Sequence, residues 1–330
     1  MRKRKFNRRY FPHILLGSFF LSCFVVLNYD YVSSFEKQNY YQIVDGECTA
    51  EFMPTTWRSN FLAGKKWHVG HLKIPSCPKG ETRLTVIIKT AISNHESRDI
   101  LRNYYLKVKR KLREENGIEL SHFFVVGYRE DSTVENADDI IIGNFEDTYA
   151  NLPYKTKAAY EYFTLCENKE ENQNEQSTLI IHDDDTWVNV VEIVKFFELG
   201  KSGLPYNELY GNHRLEVSVE NYWMDEKGFD INEEIWPYSF WPNYISGPCV
   251  IMSSVAAKKI SSSASEFDII PQIPVEDAVY TGILRVKNCL KLGRLGWLYN
   301  NHQKYCVHTE NQIEKLQAKI DKTLSSLNLL

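Results

Sequence analysis

The sequence predicts an α/β domain with a largely parallel sheet whose two faces are covered by helices. From residue 82 onward, short apolar runs rich in β-branched residues recur along the chain. Segments with the apolar spacing of helices lie between these runs, and glycine or polar residues end most of them. Strands that alternate with helices in this way pair mainly in parallel and bury both faces of the sheet.

The first strand and helix lie between residues 83 and 117. The run RLTVIIKTAI, residues 83–92, predicts a buried strand. In the segment that follows, Ile100, Tyr104 and Val108 share one face of a helix, and Gly117 is the type of residue at which a helix stops.

The later segments repeat this order. Apolar runs predict three further strands, and helical spacing predicts two further helices. The strands are at residues 122–127, 138–143 and 177–185, and the helices at 151–168 and 188–200. Pro153 is compatible with the first turn of its helix. Residues 311–330 have an apolar residue at every third or fourth position from residue 313 onward, which predicts an amphipathic helix packed on the domain.

The N-terminal residues predict a membrane anchor. Six basic residues precede position 10, and residues 11–27 carry no formal charge. An apolar stretch of this length is at the short end of those that cross a bilayer as a helix, and the basic flank predicts a cytoplasmic N-terminus. We expect a cytoplasmic tail at residues 1–10, a transmembrane signal anchor at 11–29, a luminal stem at 30–81 and a folded luminal domain at 82–330. A cleaved signal peptide is the less favoured alternative, because no small-x-small cleavage site follows Leu27.

The charge of the luminal part excludes one class of partner. The chain has a net charge of −4, and without the six basic residues of the tail the remainder carries −10. A nucleic-acid-binding protein needs basic surface to neutralise phosphates, so we expect no nucleic-acid partner.

The cysteines fit an oxidising lumen. Six of the seven lie outside the predicted membrane span: Cys48, Cys77, Cys166, Cys249, Cys289 and Cys306. They permit three disulfides in 15 connectivities, between which the sequence does not choose, and the alternative is that some are buried free thiols. Because the chain has no Cys-x-x-Cys pair, a zinc cluster is not expected.

Three consecutive aspartates follow a predicted strand in LIIHDDDTWVNV, residues 179–190. In an open α/β sheet, ligands bind beyond the carboxyl ends of the strands. Alternate side chains of an extended segment share a face, so we expect Asp183 and Asp185 to point together and Asp184 to turn away. Carboxylates at this position suit Mg²⁺ or Mn²⁺ bound together with a substrate phosphate. The alternative is an acidic loop in which Asp185 caps a helix that begins near Val188.

A second acidic pair, Glu276 and Asp277, opens a predicted helix in IPVEDAVYTGILRVKNCL. One interpretation is that these carboxylates complement the dipole of the helix. The other is that one of them is a general base held near the metal site.

Several segments between residues 82 and 320 occur in a characteristic order. They are ESRDILRNYY, FFVVG, NFEDTYANLPYKTKAAYEYFTLC, DDDTWVN, YISGPCVIMS, EDAVYTGILR and CVHTENQIEKL. Together they resemble the β1,3-galactosyltransferase and β1,3-N-acetylglucosaminyltransferase family, glycosyltransferase family 31. The third segment fits the family pattern F-x-D-x-Y-x-N-L-x-x-K-T closely, with Phe145, Asp147, Tyr149, Asn151, Leu152, Lys155 and Thr156 in place.

The resemblance implies a GT-A-type, Rossmann-like mixed sheet flanked by helices, with residues 82–330 as the glycosyltransferase catalytic domain. It implies an inverting, Mn²⁺-dependent transfer from UDP-galactose or UDP-N-acetylglucosamine. The acceptor would be a glycan on protein or lipid.

The resemblance also implies roles for the acidic residues. Asp185 would be the principal metal ligand, and Asp183 would support the metal or the ribose of the donor. His308 would be a further ligand, with His302 as a weaker competitor; its alternative is a surface histidine before a helix. Asp277 would be the catalytic base.

A basic group would shape the nucleotide pocket. It comprises Lys89, Arg98 and Arg102, and the alternative for the two arginines is a solvated basic face. Asp184 is grouped with these donor-binding residues, although its side chain is expected to serve local structure.

The sequence departs from the family pattern at a few positions. Tyr105 replaces the usual Trp, and His182 stands where Lys, Ser or an apolar residue is more usual. Ile245 stands where many members have Cys, and the turn at residues 246–249, Ser-Gly-Pro-Cys, replaces a glycine-rich turn expected to approach the sugar. Proline at 248 removes a backbone donor and restricts φ, so these departures leave the donor sugar open.

The leading hypothesis is therefore a Golgi β1,3-glycosyltransferase, a single-pass type II membrane protein with a luminal catalytic domain, which is compatible with a homo-oligomer. The second hypothesis is a catalytically inactive, membrane-anchored relative that binds glycans. A metal phosphohydrolase, prompted by His182-Asp183, ranks last, because such enzymes place this pair on helices and here it ends a strand.

Overall fold

The structure is a computed structural model in which the chain divides into two compact units, Met1–Met53 and Pro54–Leu330. It describes residues 42–44, 47–49, 68–79, 83–130, 133–135, 137–169, 177–199, 203–215, 217–219, 236, 240–266, 273, 275–293 and 302–330. In the first unit, β1 (Gln42–Val44) and β2 (Glu47–Thr49) form an antiparallel pair.

The strands of the second unit are numbered in chain order. They are β3 (His71–Lys73), β4 (Arg83–Lys89), β5 (Glu119–Tyr128), β6 (Ile140–Glu146), β7 (Thr178–Asp183), β8 (Thr186–Val188), β9 (Glu208–Arg214), β10 (Tyr244–Ser253), β11 (Lys291–Gly293) and β12 (Cys306–His308). Eight of them form one sheet in the order β11-β9-β10-β7-β4-β5-β6-β3, and β12 pairs with β8 separately.

The centre of the large sheet is parallel and its flanks are mixed. Strands β7, β4, β5 and β6 are parallel neighbours, and β11 is parallel to β9. Strand β10 is antiparallel to both β7 and β9, and β3 is antiparallel to β6. The predicted α/β class is thus confirmed as a large mixed sheet, and the four sequence-predicted strands are its parallel centre.

Helices lie between the strands. They are α1 (His95–Asn116), α2 (Leu152–Lys169), α3 (Val190–Phe196), α4 (Ser254–Glu266), α5 (Leu284–Lys287), α6 (His302–Tyr305) and α7 (Ile313–Ser326). A π-helical segment, Ala278–Ile283, leads into α5. The helices that the sequence predicts correspond to α1, α2, α3 and α7.

The start of α3 differs from one of the two interpretations of the aspartate triplet. The helix begins at Val190, and the side chain of Asn189 caps it by accepting a hydrogen bond from the backbone N–H of Glu192 at 3.3 Å. The interpretation in which Asp185 caps a helix near Val188 is therefore wrong. Strand β8 separates the aspartates from the helix, so their charge is balanced by other groups.

The core explains why the central strands end in fixed positions. Leu84, Val86 and Ile88 of β4 and Ile180 of β7 are fully buried, because helices cover both faces of a parallel sheet. Helix α1 packs its predicted apolar face, which includes Tyr104, against this sheet. In the parallel register of β4 and β7, the last residues of both strands are therefore rigid neighbours.

Two disulfides join distant parts of the second unit. Cys77 is bonded to Cys166, and Cys249 of β10 is bonded to Cys306 of β12, across 89 and 57 residues of sequence. A cross-link that closes loops of this length removes conformational entropy from the unfolded chain and contributes about 4 kcal/mol in the chain-entropy model.

The predicted tail and transmembrane anchor at residues 1–29 lie outside the described residues. Among the helices that the structure describes, none combines the length and apolar character that a bilayer crossing requires. The predicted stem and domain boundaries stay predictions.

Candidate active site

The three aspartates that end β7 bind three different sets of partners. The carboxylate of Asp183 lies 2.9 Å from Nζ of Lys89. Asp184 accepts hydrogen bonds from the Thr90 hydroxyl at 2.6 Å and from the side-chain amide of Asn94 at 2.8 Å. The backbone turns at residues 184–185, so the side chains do not simply alternate as in a continuous strand.

Asp184 is a structural residue of the turn. Its partners Thr90 and Asn94 belong to the loop after β4, and its backbone N–H donates to the carbonyl oxygen of Lys89 at 3.0 Å. Burial raises the pKa of its carboxyl, and the two side-chain hydrogen bonds oppose this shift. These contacts join the ends of β4 and β7, which agrees with the expected role of Asp184 in local structure.

Lys89 connects the two acidic segments that the sequence singles out. Its ammonium lies 2.9 Å from Asp183 and 2.9 Å from Glu276, and its side chain is 3% exposed. Burial alone would lower the pKa of Lys89, but attraction by Asp183, Glu276 and Asp277 raises it well above its usual value. We call these four residues, Lys89, Asp183, Glu276 and Asp277, the Lys89 cluster.

Asp277 lies on the partly open side of the Lys89 cluster. Its Oδ2 accepts a hydrogen bond from the backbone N–H of Gly247 at 2.7 Å. Burial and the adjacent charge of Glu276 raise the pKa of the Asp277 carboxyl, against the opposing effects of Lys89 and the Gly247 N–H. A carboxyl whose pKa is raised in this way binds a proton more readily than an ordinary aspartate, as a general base must.

The Ser-Gly-Pro-Cys turn approaches this carboxylate directly. It lies in β10, where the register with β9 shifts between Ile245 and Val250. A Cβ atom on Gly247 would lie 2.8 Å from Oδ1 of Asp277, so only glycine allows this approach without a shift. Pro248 removes the next donor, but the N–H that contacts Asp277 belongs to Gly247 and is retained.

Asp185 contacts the segment after β12. Its Oδ2 lies 2.9 Å from Nε2 of His308 and accepts a hydrogen bond from the backbone N–H of Asn311 at 3.0 Å. Its other oxygen, Oδ1, is buried, and no described residue donates a hydrogen bond to it. Thr309 fixes the backbone here by donating to the Asp185 carbonyl oxygen.

The position of His308 follows from two constraints. Strand β12 pairs with β8 so that His308 is opposite Thr186, directly after Asp185. Two residues earlier, Cys306 is tied to Cys249 of the large sheet. The imidazole is 45% exposed, so one side of the Asp185–His308 pair is open to solvent.

A cavity of about 210 Å³ lies next to this pair. It is lined by the start of α1 and the segment that leads into α7, including Asn94, Ser97, Asp185, Thr309 and Asn311. In the described ranges, no three His, Cys, Asp or Glu side chains are arranged as a complete set of metal ligands.

The predicted basic group is divided by the structure. Arg98 is fully buried and donates to the carbonyl oxygens of Ala91 and Ile92 at 2.7 and 3.0 Å, and to Glu135. Arg102 donates to Glu135 and Asp139. The alternative of a solvated basic face is therefore wrong for Arg98, which holds the loop that binds Asp184.

Two of the departures from the family pattern contact each other. The hydroxyl of Tyr105 lies 2.7 Å from Nε2 of His182, and Nδ1 of His182 lies 2.7 Å from the carbonyl oxygen of Asp183. Burial lowers the pKa of His182 to about 4, so its ring is neutral at neutral pH. Nδ1–H therefore donates to Asp183, and Nε2 accepts from Tyr105.

The comparison with known sequences decides the family. Residues 96–291, more than half of the chain, match the sequence model of the galactosyltransferase family. The chain belongs to the galactosyltransferase family. The match covers the Lys89 cluster except Lys89 itself.

Curated beta-1,3-galactosyltransferases are similar to the chain at low sequence identity. The chain is 24% identical over 216 residues to beta-1,3-galactosyltransferase brn of Drosophila melanogaster, covering 64% of this chain and 62% of that protein. It is 25% identical over 223 residues to beta-1,3-galactosyltransferase bre-5 of Caenorhabditis elegans, covering 64% of each. The chain thus spans less than two thirds of the length of these relatives.

Solved structures give weaker likenesses. A glycosyltransferase involved in the glycosylation of the major capsid of PBCV-1 is 13% identical, with 72% of this chain and 98% of that chain covered and a TM-score of 0.34. Apo mouse xyloside xylosyltransferase 1 is 12% identical, with 63% and 80% covered and a TM-score of 0.29. At these scores neither likeness bears on activity.

Sequence reasoning missed several residues that build the site. Glu135 binds both arginines, yet it lies in an irregular segment without a periodic signal. Asn311 donates through its backbone, which no side-chain motif reports. Gly247 did carry a signal, because it lies in the Ser-Gly-Pro-Cys turn that replaces a glycine-rich turn of the family, although its contact with Asp277 was not predicted.

Proposed function

We propose that this member of the galactosyltransferase family is an inverting β1,3-glycosyltransferase. It transfers galactose, or N-acetylglucosamine, from a UDP-sugar to a glycan acceptor on protein or lipid. The family membership supports a hexosyltransferase, and the arrangement of the Lys89 cluster supports direct displacement with Asp277 as the base.

The single observation that carries this proposal is the bridge made by Lys89. Its ammonium contacts Asp183 at the end of β7 and Glu276 beside Asp277, at 2.9 Å each. The bridge holds a candidate base next to the strand end at which α/β domains bind nucleotides. A base and a donor site must be neighbours for an acceptor hydroxyl to attack the donor.

Asp277 would act on the acceptor. Its carboxylate takes the proton of the acceptor hydroxyl while that oxygen forms a bond to the anomeric carbon of the donor sugar. The bond from this carbon to the diphosphate oxygen breaks on the opposite face, UDP leaves, and the configuration at the anomeric carbon inverts. The hydrogen bond from Gly247 fixes Oδ2 of Asp277, so the other oxygen remains to accept the proton.

The Asp185–His308 pair fits part of a divalent cation site. A buried carboxylate oxygen without a described donor, next to an imidazole, is the donor chemistry that Mn²⁺ accepts. Asp185 and His308 would hold the ion with oxygens of the diphosphate, and Asp183 would support the metal or the ribose. A bound cation supplies charge stabilisation to the leaving diphosphate.

The proposal includes a cellular location for the protein. The basic residues before position 10 and the apolar stretch at 11–29 favour a type II anchor in the Golgi membrane, with the catalytic domain in the lumen. Lys89, Arg98 and Arg102 remain the proposed nucleotide-pocket group. Arg98 would act through the loop after β4, and Arg102 shares its partner Glu135.

A donor panel tests the proposed function. The purified luminal domain is incubated with UDP-galactose, UDP-N-acetylglucosamine, UDP-N-acetylgalactosamine and UDP-glucose, with Mn²⁺ or with EDTA. We expect release of UDP with one of the first two donors, increased by a glycan acceptor and abolished by EDTA.

Two results would contradict the proposal in different ways. Transfer that survives EDTA would remove the cation from the proposal but leave the transferase. No release of UDP and no UDP binding with any donor would favour an inactive glycan-binding relative.

A further inference from the structure

Tyr149 is an exposed aromatic residue in the short turn before α2. It is 50% exposed, whereas Tyr160 of α2 and Tyr280, three residues after Asp277, are 1% exposed. Large aromatic rings are usually covered in a folded protein unless a partner covers them on binding. A half-exposed ring beside reactive carboxylates is therefore a surface for a ligand.

The short turn that carries Tyr149 is held in place on both sides. Two residues before it, Asp147 accepts hydrogen bonds from the backbone N–H groups of Ile92 and Gly127 at 3.1 and 2.9 Å, and its carboxylate lies 2.9 Å from Nζ of Lys155. Two residues after it, the side-chain amide of Asn151 donates to the carbonyl oxygen of Glu146 at 2.8 Å. The ring of Tyr149 thus projects from a preorganised backbone.

The helix that follows this turn contacts the segment that carries Asp277. Three residues after Asp277, the hydroxyl of Tyr280 donates to the carbonyl oxygen of Pro153 at 2.8 Å. The ring of Tyr280 also stacks on Tyr160 of α2, with centroids 5.4 Å apart. These contacts hold the start of α2, four residues after Tyr149, against the segment that carries the candidate base.

The electrostatics agree with this placement. Partial burial, followed by the nearby charges of Glu276, Asp277 and Asp183, raises the pKa of the Tyr149 phenol to about 12. The hydroxyl therefore stays protonated at physiological pH and remains a hydrogen-bond donor. A ring with an apolar face and a donor at its edge suits a sugar, which has apolar C–H faces and hydroxyl acceptors at its rim.

We propose that Tyr149 is a binding residue for the acceptor sugar, whose pyranose ring stacks on the phenol and directs its hydroxyl to Asp277. The inference rests on the proposed function, which it deepens by naming the residue that orients the acceptor. The proposed donor site lies at the end of β7, and Tyr149 belongs to a different segment, the turn before α2.

Three variants test this role. Tyr149→Ala removes the ring, Tyr149→Phe keeps it, and Tyr206→Ala removes a tyrosine of similar exposure, 52%, at the opposite end of the sheet. We expect Tyr149→Ala to raise the acceptor KM about tenfold, the upper end of what an aromatic contact contributes. Tyr149→Phe should stay within about threefold of the wild type, because the stacking face is retained.

The readout separates acceptor from donor. Initial rates are measured against a methyl hexopyranoside acceptor at saturating UDP-sugar, and then against UDP-sugar at saturating acceptor. A rise in acceptor KM alone in Tyr149→Ala, with an unchanged donor KM and an unchanged thermal midpoint, supports the proposal. An unchanged acceptor KM, or an equal rise in both, overturns it and leaves the transferase intact.

A direct binding measurement distinguishes failure of the proposed function. If the wild-type domain transfers no sugar, binding of the same methyl hexopyranosides is measured by saturation-transfer NMR. Binding that is lost in Tyr149→Ala and kept in Tyr206→Ala supports the acceptor site while the transferase fails. Binding that Tyr149→Ala retains, or no binding by the wild type, overturns the site.

Discussion

The Lys89 cluster and the Asp185–His308 pair each contain an aspartate of the same triplet, Asp183 and Asp185, yet they balance buried negative charge in different ways. In the cluster, one buried ammonium serves two carboxylates and a backbone N–H serves a third. In the pair, one carboxylate oxygen is fully engaged and the other has no donor among the described residues.

The difference teaches how one acidic segment can serve two tasks. Asp183 belongs to the strand and inherits a partner from the adjacent strand, since Lys89 is its register neighbour. Asp185 follows the turn and takes partners from the C-terminal segment. The cluster is thus complete within the protein and suited to hold a proton, whereas the pair is suited to a ligand that brings positive charge.

The strongest way to break this comparison is to remove the base. Asp277→Asn keeps the size of the side chain but cannot take up a proton, so we expect the transfer rate to fall by about 10²- to 10⁴-fold. Initial rates at saturating donor and acceptor measure the loss.

The matched control is Asp138→Asn, which makes the same change at an exposed position. It should leave the rate unchanged. Full transfer by Asp277→Asn would show that Asp277 is not the base and that the Lys89 cluster has a structural role.

Replacement of Lys89, whose ammonium is the positive charge of the cluster, tests whether the Lys89 cluster depends on this residue. Lys89→Met leaves three carboxylates without their buried partner, and we expect a loss of about 3–5 kcal/mol in the free energy of unfolding at neutral pH. Chemical denaturation measures it. The exposed control Lys195→Met removes only a surface ion pair to Glu192 and should cost less than about 1 kcal/mol.

The loss in Lys89→Met should depend on pH. Without the cation, the carboxyl pKa values rise further above those of the unfolded chain, so the folded state binds more protons. Stability then falls as pH rises through these raised pKa values, and the deficit should be smaller near about pH 5 than near about pH 8. A deficit that is independent of pH would show that lost packing, not charge, explains it.

The metal half of the comparison is tested by Asp185→Asn. Loss of a ligand should weaken Mn²⁺ binding by about 100-fold or more, since even outer-shell partners contribute about 10- to 100-fold. Titration of free Mn²⁺ by electron paramagnetic resonance gives the dissociation constant. Asp277→Asn is the control and should bind Mn²⁺ as the wild type does; equal affinity in all three proteins would refute the assignment of Asp185.

The smallest expected effect concerns the Tyr105–His182 contact, which supports the backbone of Asp183. Tyr105→Phe deletes the hydroxyl that donates to His182 and leaves a buried ring nitrogen unpaired, which should cost about 1–3 kcal/mol. The control Tyr162→Phe deletes a hydroxyl bonded to the carbonyl of the exposed Ser76, which water can satisfy instead, and should cost less. Urea unfolding compares the two, and an equal or larger loss in the control would show that the Tyr105–His182 contact is not special.

The sequence was sufficient for the parts of the fold that depend on local pattern. Strands β4 and β7 are continuous apolar runs because both of their faces are buried, and this burial is visible in the amino-acid composition of each run. Because the apolar run stops where the aspartates begin, the sequence also shows where β7 ends and the candidate site starts. Amphipathic spacing likewise predicted α1 and α7 closely.

The parts of the fold and of the site that the sequence did not predict depend on partners that are distant along the chain. Strand β10 contains Ser, Gly and Pro at residues 246–248 and has the composition of a turn, so its pairing with β7 and β9 decides its conformation. The serine-rich helix α4 has weak helix propensity and is stabilised by tertiary packing. No local pattern reports that Glu276 reaches Lys89, 187 residues earlier in the chain.

The bond between Cys249 and Cys306 has a practical consequence for anyone producing this protein. It is the covalent link between the large sheet and the strand that carries His308, whereas the Lys89 cluster contains no cysteine. A bacterial cytosol or a strong reductant would break this link and loosen the hold on His308. Because each disulfide contributes about 4 kcal/mol in the chain-entropy model, batches made in different hosts would also differ in stability, so the thiol titre is the first quality measure to record.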